Sequence, residues 1–360
     1  MKVNVKKLRI ALNAVRPGIS KKDIIEQMTH FIFSEDTVTA YDDQLCLSYP
    51  VDTDLRCTIE ANSLLKLVNR ITLDEVTMKL KDGKLICRGK GIRSDLPTSQ
   101  DEDIYNHVAE VKKQQGKEKW LKIPENFIDA IKFCMFAASK DATSTKKCVG
   151  VKGKDVVATD GNRGGWGVLE ESTRKNFMFS AASATELVKF GGFSQFSVSE
   201  SWVHFKTKDK AVFHIRRNAG EYPIGTCKAL FKSFEGTSIV LCTEDREAIL
   251  EAVDTACVIS DDAIVDKQVE IIFTENKVTC VGEFVTGKTT RSRKIKYEGE
   301  DIAFNINPSF ISQILNRDEP AELIANAGMI NIKADNLQHI IALRVGRESE
   351  PEDRDDDVPF

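Results

Sequence analysis

No stretch of the sequence approaches the ~20 consecutive apolar residues that cross a bilayer. Its first residues, Met1-Lys2-Val3-Asn4-Val5-Lys6-Lys7, carry no apolar run of the kind that marks a secretion signal. No membrane partner is expected, and the cytoplasm is the expected location. A C-x-x-C pair is also missing. Nine cysteines, an odd number, are scattered along the chain, most of them inside apolar runs. Buried reduced thiols are therefore expected rather than disulfides or a zinc site. The five histidines do not cluster, and no metal or other cofactor is implied. Excess positive charge is absent too. A net charge of −4 argues against holding nucleic acid by sheer basicity, but allows basic residues gathered on one surface. What remains is an ordinary globular composition, 41% hydrophobic and 29% charged. At 360 residues the chain exceeds one hydrophobic core, so two or three domains are expected.

Internal repetition organises the chain. A strand, a short polar break and an amphipathic helix recur six times. The copies are Val3–Val5 before Lys6–Val15, Cys57–Ile59 before Ala61–Arg70, and Trp120–Ile123 before Pro124–Cys134. Three more follow: Phe177–Ser180 before Ser183–Phe190, Ile239–Thr243 before Glu244–Cys257, and Ile302–Asn305 before Pro308–Arg317. Their starts fall roughly 55 to 65 residues apart, the period of a repeated supersecondary unit. The helices place apolar residues three and four apart, as in Leu8, Ala11, Leu12 and Val15. Pro124 and Pro308 suit a first helical turn, and Asn307 or Thr243 a cap. Alternating β-branched runs lie between the helices.

A second marker, Thr37–Asp42, Val156–Gly161 and Lys277–Gly282, returns at about twice that period. The economical reading is an α+β chain of three similar domains, 1–117, 118–233 and 234–346, each with two strand-helix units. An acidic tail covers 347–360. The charged segments Val108–Lys119 and Ala229–Gly236 read as linkers.

Suppose the helices line the inside of a ring and the sheets form its outside. With packed helices ~8–10 Å apart, six close a circle of roughly 19 Å between axes, which the helices themselves mostly fill. Twelve give roughly 38 Å and a bore of roughly 28 Å, enough for a duplex roughly 20 Å wide. One chain would then be half a ring, closed by a head-to-tail homodimer. Lys6, Arg9 and Arg16 share the polar side of the first helix, Lys66 and Arg70 that of the second, and Arg317 ends the sixth. The fifth helix runs counter to this, with an acidic stripe of Glu247, Glu251 and Asp254.

Three stretches then carry a resemblance: Val156–Arg163, Gly220-Glu221-Tyr222-Pro223, and Tyr297–Asn305. In their order and spacing, residues 1–346 resemble the bacterial DNA polymerase III beta subunit, the three-domain DNA sliding clamp. The resemblance implies a non-catalytic processivity factor that encircles double-stranded DNA, tethers a DNA polymerase, and is loaded by a clamp loader ATPase. It implies DNA contacts at Lys21, Lys22, Arg70, Lys146 and Lys147. It implies a partner-peptide pocket at Cys148, Thr159, Gly161, Asn162, Arg163, Gly164, Ile340, Ile341, Ala342 and Leu343. The family carries an aliphatic residue at the Gly164 position and Met-Pro at Ala342-Leu343, so a differently shaped pocket is expected. By position, the resemblance also implies a ring seam at Val258 and Ile259, meeting Ile104 of the other subunit.

Two readings compete with the clamp. Gly282-Glu283-Phe284-Val285-Thr286-Gly287-Lys288-Thr289 fits the phosphate-binding pattern G-x-x-x-x-G-K-[ST]. A helix must begin at that lysine, yet Thr289–Tyr297 reads as a polar alternating strand. The other is a scaffold of the same fold that stays monomeric and does not enclose DNA. Asp42, Asp43 and Asp160 follow strands, where catalytic acids often sit, but their recurrence at turns favours a turn role. The tail from Glu348 to Phe360 reads as acidic and solubilising. Its terminal Val358-Pro359-Phe360 is a candidate for docking in a hydrophobic pocket of the clamp itself.

Overall fold

The computed structural model describes residues 1–21, 27–99, 102–259, 267–316 and 321–343. The first part of the chain runs β1 (Lys2–Asn4), α1 (Val5–Val15), β2 (His30–Tyr41), β3 (Leu45–Glu60), α2 (Ala61–Arg70), β4 (Glu75–Lys81), β5 (Lys84–Gly89), β6 (Ile92–Pro97) and α3 (Glu102–Gly116). There follow β7 (Leu121–Lys122), α4 (Phe127–Cys134), β8 (Cys148–Lys152), β9 (Asp155–Thr159), β10 (Arg163–Val168), β11 (Phe177–Ser180), α5 (Ala181–Phe190), β12 (Phe193–Val198), β13 (Trp202–Thr207), β14 (Val212–Arg216) and α6 (Ile224–Lys232). The last part is β15 (Thr237–Leu241), α7 (Thr243–Ala256), β16 (Val269–Thr274), β17 (Lys277–Phe284), β18 (Gly287–Lys294), β19 (Ile302–Ile306), α8 (Pro308–Leu315), β20 (Ala321–Ala325), β21 (Met329–Ala334) and β22 (Leu337–Ala342). The six strand-helix units of the sequence are all present: β1–α1, β3–α2, β7–α4, β11–α5, β15–α7 and β19–α8. Among the described residues no helix is long and apolar enough to cross a membrane.

Two compact units divide the chain, 1–158 with 168–224, and 159–167 with 225–360. In the first, β1-β4-β5-β6 form one sheet and β2-β3-β14-β13-β12-β7 another. The long strand β3 shifts register against β2 between Glu35 and Thr37, and pairs through Leu45–Ser48 with β14. It thereby joins the early strands to the later ones in a single sheet. Phenylalanines fill the space beside α4: Phe127 stacks on Phe196 at 6.4 Å and tilts against Phe205 at 5.7 Å, and both partners are buried. Each buried ring is worth about 1.5–3 kcal/mol over an exposed one. In the second unit β18-β17-β16-β19 form a four-stranded sheet, and β10, β22, β21, β20 and β15 pair in that order.

Local chemistry explains most helix starts. Asn4 caps α1 by accepting from Lys7 N, Ser180 caps α5, and Asn307 caps α8 ahead of Pro308 in its first turn. Two expectations need correction. Pro124 lies ahead of α4, which begins at Phe127. Asn126 spends its side chain on Val168 O and Glu170 N rather than capping. Thr243 is the first helical residue of α7, and the residue before it, Cys242, bonds reciprocally with Asp245.

Neither expected linker is bare. The segment beginning at Val108 lies mostly in α3, which buries Ile104, Tyr105, Val108 and Val111 against Met28, Ile32, Tyr41, Cys46 and Trp202. Tyr105 donates to Phe33 O at 3.1 Å. Ile104 is 1% exposed, so the exposed seam residue expected there is corrected to a core residue of its own subunit. Ala229–Lys232 continue α6, whose Phe231 is buried and packs on Trp166 at 5.6 Å. The cysteines behave as expected: all nine are free, and six of them are buried.

Candidate nucleic-acid and partner interfaces

The polar side of α1 follows from its burial stripe. Val5, Leu8, Ala11, Leu12 and Val15 are buried, leaving Lys6, Asn13 and Arg16 exposed. Arg9 has another task. Its Nη2 donates to Val68 O at 2.8 Å and Ile71 O at 2.9 Å, satisfying carbonyls at the end of α2 that the helix leaves open. The expected DNA contact at Arg9 is therefore a guanidinium already committed to tying α1 to α2. On α2, Lys66 and Arg70 are exposed, and Glu60 anchors the start by accepting from Asn62 N and Ser63 N. Arg16 and exposed Lys21 line a cleft of about 960 Å³ with Lys189 of α5, a lysine the sequence reading passed over. Lys189 is paired with Glu186 at 2.8 Å, one turn away, so its surplus charge is partly hidden in any linear reading.

Lys146 and Lys147 sit in a short turn, Thr145–Lys147, capped by Ser144 accepting from Lys146 N. Lys146 is exposed. Lys147 Nζ donates to Ala142 O at 2.5 Å and so bends back over its own loop. Asp141 holds the loop shape through Thr143 N and Oγ1. Lys22 and Arg317 lie outside the described residues, as does the tail 347–360.

In the second unit, the expected pocket residues on β10 and β22 are brought together. Arg163 faces Ile341 and Gly164 faces Ile340 across the ladder, and Ala342 N donates to Asn162 O at 2.8 Å. The turn before β10 is built by Asp160, whose Oδ1 accepts from Asn162 N and Arg163 N. Thr159 Oγ1 donates to Arg163 O at 2.7 Å, and Gly161 takes φ 100°, open to glycine at no steric cost. Asp42 builds the same kind of turn for Gln44 N and Leu45 N. These aspartates serve turns, as expected.

Arg163 is 8% exposed. Its Nε meets Asp160 Oδ2 at 3.1 Å, its Nη1 donates to Gln313 Oε1 at 2.9 Å, and its guanidinium lies 4.1 Å from the Phe310 ring centre. Burial pulls its pKa down while Asp160 holds it up. The Arg163 side chain is thus largely enclosed beneath the turn it follows. Ile340 and Ile341 are buried, whereas Gly161, Asn162 and Ala342 are exposed and Gly164 and Leu343 partly so. Cys148 belongs to the first unit, fully buried in β8, where burial pushes its thiol up to about 11. Beside it, Gly150 admits the Tyr222 ring of the Gly-x-Tyr-Pro motif, because a Cβ there would fall 2.6 Å from the ring. Gly299 plays the same part for Tyr297, whose hydroxyl donates to Glu300 O.

The phosphate-loop pattern dissolves into a hairpin. β17 pairs directly with β18, Glu283 opposite Lys288, and the two side chains form an ion pair at 3.2 Å. Gly282 is needed because a Cβ would overlap the Ala256 carbonyl at the end of α7, and Gly287 takes φ 142° at the turn. No helix begins at Lys288, which lies within strand β18. The hairpin tip is apolar and open: Val285 is fully exposed, Val258 is 72% exposed, and Thr286 Oγ1 donates to Ile259 O at 2.5 Å. Val285, which that pattern had absorbed, thus joins the two expected seam residues. The acidic stripe on α7 is broken up as well. Glu251 pairs with Arg291 at 2.5 Å and Arg293 at 2.8 Å from β18.

No protein-family model matches this chain, and no curated protein sequence does. Solved structures do. The DNA polymerase sliding clamp of Bacillus subtilis superposes with a TM-score of 0.79 at 18% identity, covering 95% of this chain and 98% of that one. The DNA polymerase III subunit beta of Borrelia burgdorferi gives 0.81 at 14% identity over 95% and 98%. The Pseudomonas aeruginosa subunit gives 0.79 at 14% identity over 96% and 99%. The chain has the fold of the DNA polymerase III beta sliding clamps.

Proposed function

We propose that this chain is a DNA sliding clamp. Three domains, 1–117, 118–233 and 234–346, form half a ring; two copies close it head to tail around duplex DNA and tether a DNA polymerase. An ATP-driven clamp loader opens it. The observation that carries the reading is the sixfold strand-helix repeat, within a fold that matches known clamps over 95% of the chain. Six helices per chain leave no room for a duplex, whereas twelve do, so the dimer follows from the function.

Exposed Lys6, Arg16, Lys21, Lys66, Arg70 and Lys146 supply phosphate contacts, which position a protein on DNA without reading sequence. Loose, few contacts suit sliding, and so does a net charge of −4. The seam forms where Val258, Ile259 and Val285 stand beside β18, the edge of its sheet. The complementary edge is β6 of the other copy, also last in its sheet. Partner peptides meet Gly161, Asn162, Gly164, Ala342 and Leu343. With no aliphatic side chain at Gly164, that surface takes a bulkier apolar anchor than the family's usual motif.

Mass in solution by light scattering across a dilution series tests the assembly. A mass of twice the chain that persists on dilution is expected. A monomer at all concentrations would favour the scaffold of the same fold that never encloses DNA.

A further inference from the structure

Cross-strand partners in an antiparallel sheet project from the same face. In the second unit one such row runs from β10 to the edge strand β15: Gly164, Ile340, Asn331, Ile324 and Ser238. Two residues further along the same face stand Trp166 on β10 and Val240 on β15. Burial along this face is uneven. Ile340, Asn331 and Ile324 are 3%, 0% and 8% exposed, whereas Ser238 is open and Val240 is 73% exposed. A cover therefore lies over β22, β21 and β20 and stops short of β15.

That cover is the chain's own segment 225–236, which holds α6 and the turn after it. At one end Phe231 packs on Trp166, ring centres 5.6 Å apart, with Lys228 Nζ 5.7 Å from the same ring. At the other end a Cβ on Gly236 would lie 3.2 Å from Ile324 Cγ2, and Glu235 O accepts from Asn326 Nδ2 at 3.0 Å. Strands lie ~4.8 Å apart, so a segment pinned over β10 and again beside β20 crosses β22 and β21 in between, above Ile340 and Asn331. Of residues 225–236 only Phe231 is buried, and Leu230 is 42% exposed. The segment seals the face without completing it. Asn331 Nδ2 donates to Gln338 Oε1 at 3.2 Å, but its Oδ1 has no partner among the described residues. Turning the amide over leaves the nitrogen unmet instead, and a buried polar atom without a partner is costly.

We propose that residues 225–236 are a built-in competitor for the partner-peptide surface. They close it in the free protein, and a partner segment carrying an aromatic residue binds by taking the place of Phe231 against Trp166. The inference rests on the reading of β10 and β22 as the partner site. An extended partner backbone brings both N–H and C=O groups and can meet the Asn331 amide in either orientation. The backbone of α6 is largely bonded within the helix and offers it neither. Burying one aromatic ring favours the closed form by about tenfold or more, and the apparent affinity of a partner falls by the same factor. Opening exposes little beyond that ring, because the rest of the segment already faces solvent.

A fluorescent peptide copying residues 226–233 tests this in trans, by anisotropy against the full chain, with the same peptide carrying Phe231→Ala as control. Phe231→Ala in the full chain removes the internal competitor and should tighten binding of the peptide about tenfold or more. Phe231→Leu, which keeps an apolar side chain there, should give a smaller gain in the same direction and decides the matter if the alanine variant fails to fold by circular dichroism. The control peptide should not bind. Equal affinity for the altered and unaltered chains, weaker binding by the altered ones, or no saturable binding to any of them overturns the proposal. The ring is tested apart from the strap: a chain that stays monomeric yet gains peptide binding on Phe231→Ala loses the clamp reading and keeps this one.

Discussion

Arg163 shows how a residue of a sequence motif can be engaged by its own fold. Its guanidinium is enclosed by Asp160, Gln313 and the Phe310 ring. Removing it takes the cation away from a part-exposed Asp160 that keeps its two backbone donors, and losing such charge-assisted hydrogen bonds costs about 1.5–3 kcal/mol. Arg163→Ala is expected to lower the unfolding free energy by about that amount, measured by denaturant titration. Arg163→Lys should restore little, since an ammonium cannot stack and bond in the same fork. The histidine pair gives a pH dependence. Burial holds His204 down at about 4 and, with His204 beside it, pulls His214 well below the usual histidine range, while the unfolded chain titrates near ~6.5. Below that value the unfolded state takes up protons that the folded state refuses. Stability is therefore full above pH ~6.5, falls as the pH drops, and reaches a deficit of roughly 3 kcal/mol from His204 by pH ~4. Unfolding midpoints measured across that range should decline, and His204→Gln with His214→Gln should flatten the decline.

At the scale of elements, the six helices were legible because apolar residues at three- and four-residue spacing bury the same stripe whatever the neighbours are. Leu8, Ala11, Leu12 and Val15 in α1 are all buried as that spacing requires. The glycines of the phosphate-loop look-alike were not legible. Gly282 answers to the approach of α7 from 26 residues away in the chain, a contact that no local pattern records. The misreading of α3 as linker has a related cause. Its stripe of Ile104, Tyr105, Val108 and Val111 was obscured by charges on its open side, and the core it fills is assembled from β2, β3 and β13. The site residues were legible in part: β10 and β22 come together, whereas which of their side chains face outward depends on packing beneath them. The loop holding Lys146 and Lys147 is shaped chiefly by Asp141 and Ser144, with one further bond from Lys147 Nζ to Ala142 O. Lys146→Ala with Lys147→Ala should therefore leave the fold and the dimer intact and shorten retention on circular DNA several-fold. Unchanged retention would remove this loop from the DNA surface.

For the whole molecule, the proposed ring closure rests on the aliphatic groups of Val258, Ile259 and Val285 and on the two edge strands β18 and β6. Val258→Glu with Val285→Glu places charges where an assembled seam excludes water, and should convert dimers to monomers in sedimentation velocity while each chain stays folded. A dimer that survives both substitutions would put the seam elsewhere. Encirclement itself is a topological property, and DNA topology tests it most directly. The protein, assembled on nicked circular duplex and challenged with high salt, should remain bound, since a closed ring needs no ionic contact to stay on. Cutting the circle once should release it off the free ends. Equal loss from circular and linear DNA would mean that the chain holds DNA by contact alone and encloses nothing.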